Sequence, residues 1–267
     1  MFKSCLYGLL AVGLGLVLAP NALAYNGTYV PGTGINNTPH DLGTAGNGMT
    51  YPAIPDDTLT CKCIWCHAPH NTYRLSTAAG GAGPVAPSAF TYLPLWNHNV
   101  TGFLTTFQMY ENGTGGPQTG PKALQAPTGA RTPGSTSLLC LSCHDGTIAV
   151  NSYGNSPAQL SKSVSSGSNM ISPTYQIGKD KYLGNHHPIG FDYLTVQSVD
   201  TEIRDADVFA MTPTENISNY LSNGKVECST CHAVHNKGNG GETLLWRSDQ
   251  NSQLCLTCHD KGLYTQP

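Results

Sequence analysis

The stretch CKCIWCHAPH, Cys61 to His70, holds three cysteines and two histidines in ten residues. Within it Cys63, Cys66 and His67 form a C-x-x-C-H unit. The unit recurs at Cys140/Cys143-His144, Cys228/Cys231-His232 and Cys255/Cys258-His259. Paired cysteines serve several chemistries. Disulfides give no reason for a histidine after every second cysteine. Zinc takes C-x-x-C pairs two at a time and needs no trailing histidine. A thioredoxin-like dithiol occurs once, in a βαβ setting. Covalent haem c needs all three side chains. The two thiols add across the vinyl groups, and the adjacent histidine is held under the iron. Four haem c groups are therefore expected, tethered by these eight cysteines, with His67, His144, His232 and His259 as proximal ligands.

Six further histidines could supply distal ligands: His40, His70, His98, His186, His187 and His235. His67-Ala68-Pro69-His70 and His232-Ala233-Val234-His235 are both H-x-x-H. On a helical turn, i and i+3 side chains leave one face about 5–6 Å apart. They cannot clasp one iron from opposite sides, so His70 and His235 must each reach another haem. His98 follows a tryptophan in PLWNH, and that ring could pack on a porphyrin. His186 and His187 are neighbours whose side chains diverge, so one of them binds. Pro188 restricts His187 to extended backbone and favours it as the ligand. A ligating imidazole's second nitrogen should donate to a carbonyl or carboxylate. Asp145 and Asp260, each following a proximal histidine, are candidates for that role or for a plain turn. Cys61 is a spare thiol, unless a Cys61-x4-Cys66 spacing displaces Cys63.

These residues are set out as an internal repeat. CIWCHAPHN matches CSTCHAVHN, and LCLSCHDG matches LCLTCHDK. Each half, about 40–150 and 185–262, holds one motif of each kind. Cys63 and Cys140 are 77 positions apart, but Cys228 and Cys255 only 27. The first half thus carries about fifty extra residues. They include the glycine-rich Ala78–Pro84 and Gly113–Pro133, read as long loops. Short helices are expected to begin at each C-x-x-C-H, with others at Asp205–Met211 and Ile217–Leu221. The expected architecture is mostly irregular coil with a few short α-helices and little β-structure, organised by haem. Residues 25–267 would form a single tetrahaem domain.

Compartment and partners follow from the ends and the composition. Lys3, the apolar Leu6–Leu18 and the A-x-A of Ala22–Ala24 read as a signal peptide over 1–24. That implies secretion, to the periplasm, the cell surface or beyond. No other segment is apolar enough to span a bilayer. Charged residues are 11% of the chain and the net charge is -3. That balance argues against nucleic acid or an anionic membrane as partner.

HDL at His40, CxxCHAPHN, PLWNH, LCLSCHDGT, HPIGF, VECSTCHAVHN and LCLTCHDK together resemble the doubled-CxxCH multihaem cytochromes, over His40 to Lys261. Size and haem number resemble the tetrahaem subunits of extracellular cytochrome filaments, the microbial nanowires. The resemblance implies bis-histidine haems in a continuous stacked chain, with one distal histidine per subunit supplied by the neighbour. It implies self-association head to tail, contact with other cytochromes or outer-membrane conduits, and extracellular electron acceptors. Carried over, the distal pool is His40, His70, His98, His187 and His235. Five positions for four irons leave one that does not ligate. Six-coordinate irons have no place for substrate, so electron transfer is expected and not enzyme catalysis. A soluble tetrahaem carrier shares these motifs. A multihaem reductase is less favoured, because no CxxCK motif appears.

Overall fold

The computed structural model describes residues 34–36, 38–42, 62–78, 83–110, 132–150, 152–154, 170–237 and 242–261. The proposed signal peptide, Cys61 and most of the Gly113–Pro133 stretch lie outside them. Regular structure is sparse. Helix α1 spans Ser135–His144, α2 Tyr193–Val199, α3 Cys228–Cys231 and α4 Gln253–Cys258. Strands β1 (Ala210–Thr212) and β2 (Glu215–Asn216) pair antiparallel, and single 3-10 turns fill some connections. The described chain is mostly coil, as the composition foretold.

Each C-x-x-C-H closes one helical turn. The N–H of His67, His232 and His259 donates to the carbonyl of the first cysteine in its motif, at 2.7, 3.0 and 2.9 Å. In α1 the motif is the helix's last turn. The expectation that helices begin at the motifs is thus corrected: α1 and α4 end on them, α3 is the motif itself, and Cys63–Cys66 is only a turn. One turn is enough, since it sets cysteines i and i+3 on one face. The expected helix at Asp205–Met211 is also replaced. The Asp205 side chain accepts from the Asp207 N–H at 2.9 Å, an Asx turn that competes with the helix. The chain then enters β1. Ile217–Tyr220 does coil, as 3-10 helix.

Apolar side chains gather in three clusters. The largest joins Tyr73, Ala86, Phe90, Trp96, Val100, Phe103, Phe107 and Met109 to Leu138, Leu139 and Leu141 of α1 and to Leu183. Much of it comes from the first half's extra residues, whose backbone is irregular and held by single bridges such as Arg74–Val85 and Gln108–Tyr182. A second cluster centres on Trp65, Val150, Tyr153 and Ile171, and a third on Tyr193, Ala206, Ile217 and Val226. Isolated short helices are marginal in water, and these clusters flank the haem motifs. A chain made with its eight attachment cysteines replaced by serine is therefore expected to lose its cooperative thermal transition in near-UV circular dichroism. A sharp, native-like transition in that chain would contradict this.

The two halves are joined at α1 and α3. Glu227, 1% exposed, forms a capping box with Thr230 at the start of α3. Its carboxylate also accepts from the Gly134 N–H, at 3.0 Å, and from the Ser137 hydroxyl of α1. Ser137 Oγ in turn accepts from the Cys228 N–H at 3.0 Å. A Cβ at position 134 would lie 2.5 Å from Glu227 Oε1, so glycine is required for this approach. The junction brings Cys140 and Cys228, one from each half, close enough for each to shift the other's thiol, Cys140 upward and Cys228 downward.

Candidate haem-binding site

Metal–imidazole bonds of about 2 Å on either side, plus half a ring each, set two opposed imidazole centres about 6 Å apart. Three histidine pairs have this spacing. His67 and His235 stand 6.1 Å apart, His40 and His144 6.1 Å, and His187 and His259 6.3 Å. Each pair joins one C-x-x-C-H histidine to one of the distal candidates. Of the neighbours His186 and His187, it is His187 that faces a motif histidine. Among the described residues no imidazole stands so across from His232. His70 is exposed.

The ring orientations suit ligation through Nε2. His67 Nδ1–H donates to the Pro94 carbonyl at 2.6 Å, His144 to Tyr175 at 3.0 Å and His232 to Leu244 at 3.2 Å. His187 donates to Pro188 at 2.9 Å. A carbonyl on one ring nitrogen fixes the tautomer and leaves the other for a metal. Asp145 and Asp260 do not take this role. Asp145 accepts from Thr147 and pairs with Lys181, and Asp260 pairs with Arg204. Burial pushes His40 down to about 4, with the neighbouring His144 next in effect, and burial also lowers His144, His235 and His259. These rings are neutral at pH 7, the form a metal requires.

His98 differs from the other candidates. It is 1% exposed, its Nε2 lies 3.1 Å from the Ala149 carbonyl and 3.2 Å from Cys143 Sγ, and its Nδ1 lies 3.4 Å from Ser142 Oγ, whose hydroxyl donates to the Leu139 carbonyl. Both ring nitrogens are thus engaged inside the core, beside Trp96 at 6.5 Å. Burial pushes it down to about 4.

The cysteines are equally consistent with thioether attachment. None of the eight is in a disulfide. Burial pushes Cys66 and Cys258 up to about 11 and Cys231 to about 12, so in the metal-free chain they are neutral thiols at pH 7, the form that adds to a vinyl group. Among the described residues, two buried donors have no partner, Trp96 Nε1 and Thr243 Oγ1. They lie two residues and one residue from the carbonyls that hold His67 and His232. Orphans in that position fit an anionic group from outside the polypeptide, such as a haem propionate.

Two features escaped the sequence reading. The H-x-x-H segments are not helical turns. His67 lies in a bridge with Trp96, and His232 is extended, with φ -98° and ψ 120°. The asparagines that follow them, Asn71 and Asn236, take φ of 58° and 52°, the left-handed region asparagine tolerates. Second, the repeat extends further than the cysteine motifs. Pro94-Leu95-Trp96 of the first half corresponds to Leu244-Leu245-Trp246 of the second. Pro94 and Leu244 supply the equivalent carbonyls, and the N–H groups of Asn97 and Trp246 return to Cys66 and Cys231. The shared x-L-W signal was present in the sequence, obscured by the insertion before it.

The motifs are covalent haem c attachment units, and the fold is that of a coil-rich chain arranged around them. This arrangement supports a multihaem c-type cytochrome. In agreement, residues 221–263 match the family model of the doubled CXXCH motif, covering Cys228 to His232 and Cys255 to His259. Neither the curated proteins nor the solved structures contain a match to the chain. No helix among the described residues is long and apolar enough to cross a membrane.

Proposed function

We propose that the chain conducts electrons through four haem c groups, each held between two histidines, as the repeating subunit of an extracellular filament. Bound haem c supplies reversible one-electron iron chemistry. The cysteines tether each group, the paired imidazoles would fill both axial positions, and the apolar clusters exclude water. With both positions filled there is no seat for substrate, which makes this a carrier and not an enzyme. Export is supported by the leader-like residues 1–24.

One observation carries the filament reading: three histidine pairs are formed within the chain, while among the described residues no ring opposes His232 and His70 is exposed. The repeat says how they would meet. His40 faces the second motif histidine of its own half, His144, and His187 does the same with His259. His235 of the second half faces His67, the first motif histidine of the half before it. By the same step His70 would face the first motif histidine of a preceding half, which is His232 of a neighbouring copy. A contact of this kind is head to tail and does not close on itself, so copies add indefinitely. Exposed Leu95 beside Ala68–His70 adds an apolar surround to the protruding imidazole.

Two measurements test the proposal. Electron microscopy of secreted material should show filaments, and the assembled protein should carry four haems by mass, all low-spin by magnetic circular dichroism. Fewer haems, or a high-spin or His/Met centre in filaments, would overturn it. Within the subunit, His187→Ala should convert one haem to a high-spin, carbon monoxide-binding form. His98→Ala should leave every haem low-spin and instead lower stability by about 3 kcal/mol, through a buried void and lost hydrogen bonds. A new high-spin signal in His98→Ala would make His98 a ligand.

A further inference from the structure

Two ion pairs with buried carboxylates and partly exposed lysines bracket one of the histidine pairs. His40 and His144 are each followed directly by an aspartate, Asp41 and Asp145. Both aspartate side chains are fully buried, and each meets a lysine. Lys62 Nζ lies 2.7 Å from Asp41 Oδ2, and Lys181 Nζ contacts Asp145 Oδ2. Lys181 Nζ also lies over the rings of Phe103 and Phe107, 4.3 and 4.8 Å from their centres, an additional hold on the ammonium. The equivalent aspartate of the second half, Asp260, is more than half exposed and meets Arg204. Burying two paired carboxylates costs desolvation that their attraction to lysine barely repays, so stability alone is a weak reason for them.

We propose that Asp41–Lys62 and Asp145–Lys181 set the reduction potential of the iron shared by His40 and His144. This rests on the reading that those two histidines ligate one iron. Each lysine cancels a carboxylate that would otherwise lie one residue from an axial ligand. Reduction removes one positive charge from the iron. An unbalanced carboxylate nearby therefore favours the oxidised form, and an unbalanced ammonium favours the reduced form. In a buried setting these effects are only weakly screened. The field of Asp145 does reach this region: it adds to the upward push on the Cys143 thiol. The consequence is a subunit in which one haem of the four has a potential set by fixed protein charge, while the Asp260 site is left to solvent.

The test is spectroelectrochemical titration of the haem-loaded protein. Lys181→Met should lower one midpoint by about tenfold in the reduction equilibrium, about 59 mV for one electron. Asp145→Asn should raise the same midpoint, and the double variant should return close to the starting value. Lys62→Met should lower that midpoint as well, and Lys181→Arg should leave it in place. Shifts of the same sign from Lys181→Met and Asp145→Asn, or shifts spread over all four midpoints, would mean loosened packing and overturn the proposal. His40→Ala identifies the haem, since it should turn high-spin. If His40→Ala leaves every haem low-spin, the ligand reading fails. If it gives a high-spin haem whose midpoint the lysine variants do not move, the charge proposal alone fails.

Discussion

Replacing His70 with alanine is expected to abolish filaments while leaving four haems covalently attached. His70 is exposed and faces no motif histidine within its chain. Its loss therefore removes nothing from the three pairs formed by His40, His187 and His235. What it removes is the imidazole offered to His232 of a neighbouring copy. Each subunit should then hold one high-spin, carbon monoxide-binding haem and remain monomeric by analytical ultracentrifugation. His232 would keep its place, because its Nδ1–H is fixed on the Leu244 carbonyl. Added imidazole should return that haem to low-spin without restoring filaments, which separates coordination from assembly. Filaments of normal length from His70→Ala would exclude the head-to-tail ligand exchange.

The second large effect is on stability. Glu227→Ala removes the cap of α3 and leaves the Gly134 N–H and the Ser137 hydroxyl without their acceptor in a buried place. A lost cap costs about 1 kcal/mol and each stranded buried donor about 1–3. The expected loss is about 3–7 kcal/mol, measured by denaturant unfolding. The same carboxyl gives the junction a pH dependence. Burial pushes the Glu227 pKa up, outweighing the lowering by Ser137 and Gly134. A raised carboxyl favours folding while it is protonated. Its contribution is present below the ordinary glutamate range and is lost as pH rises through the raised value. Melting temperature should therefore fall across that window, and Glu227→Gln should flatten the slope. An unchanged slope in Glu227→Gln would assign the pH dependence elsewhere.

How much was legible depended on whether a signal was local. The C-x-x-C-H units are local, because both cysteines and the histidine lie in one turn of backbone and their chemistry needs nothing else. The scarcity of regular structure was legible too, from glycine, proline and the absence of long apolar stripes. The start of the helices was not. α1 begins at Ser135, a turn before its motif, because Leu138, Leu139 and Leu141 pack against aromatic residues from the inserted segment. That segment read as loop. Its apolar residues follow no regular period, and only the folded chain brings them to one place. The second H-x-x-H misled in a different way. Its spacing suggested a helical turn, whereas the backbone is extended and turns at Asn236. What separates its two histidines is instead the fold, which sets His235 across from His67 at 6.1 Å.

The sequence by itself determined the kind of chemistry: the C-x-x-C-H motif points to covalent haem c wherever the chain folds, because attachment is a property of five consecutive residues. The tertiary structure decided the pairing. Which of six histidines meets which motif depends on contacts between residues up to about two hundred positions apart, and spacing carries no such information. His40 reaches His144 from the N-terminal segment, and His235 crosses from one half to the other. The burial of His98 beside the Ala149 carbonyl, Ser142 and Cys143 is likewise a property of the fold alone. The burial that neutralises Asp41 and Asp145 with lysines exists only in the fold, since each partner comes from another segment of the chain.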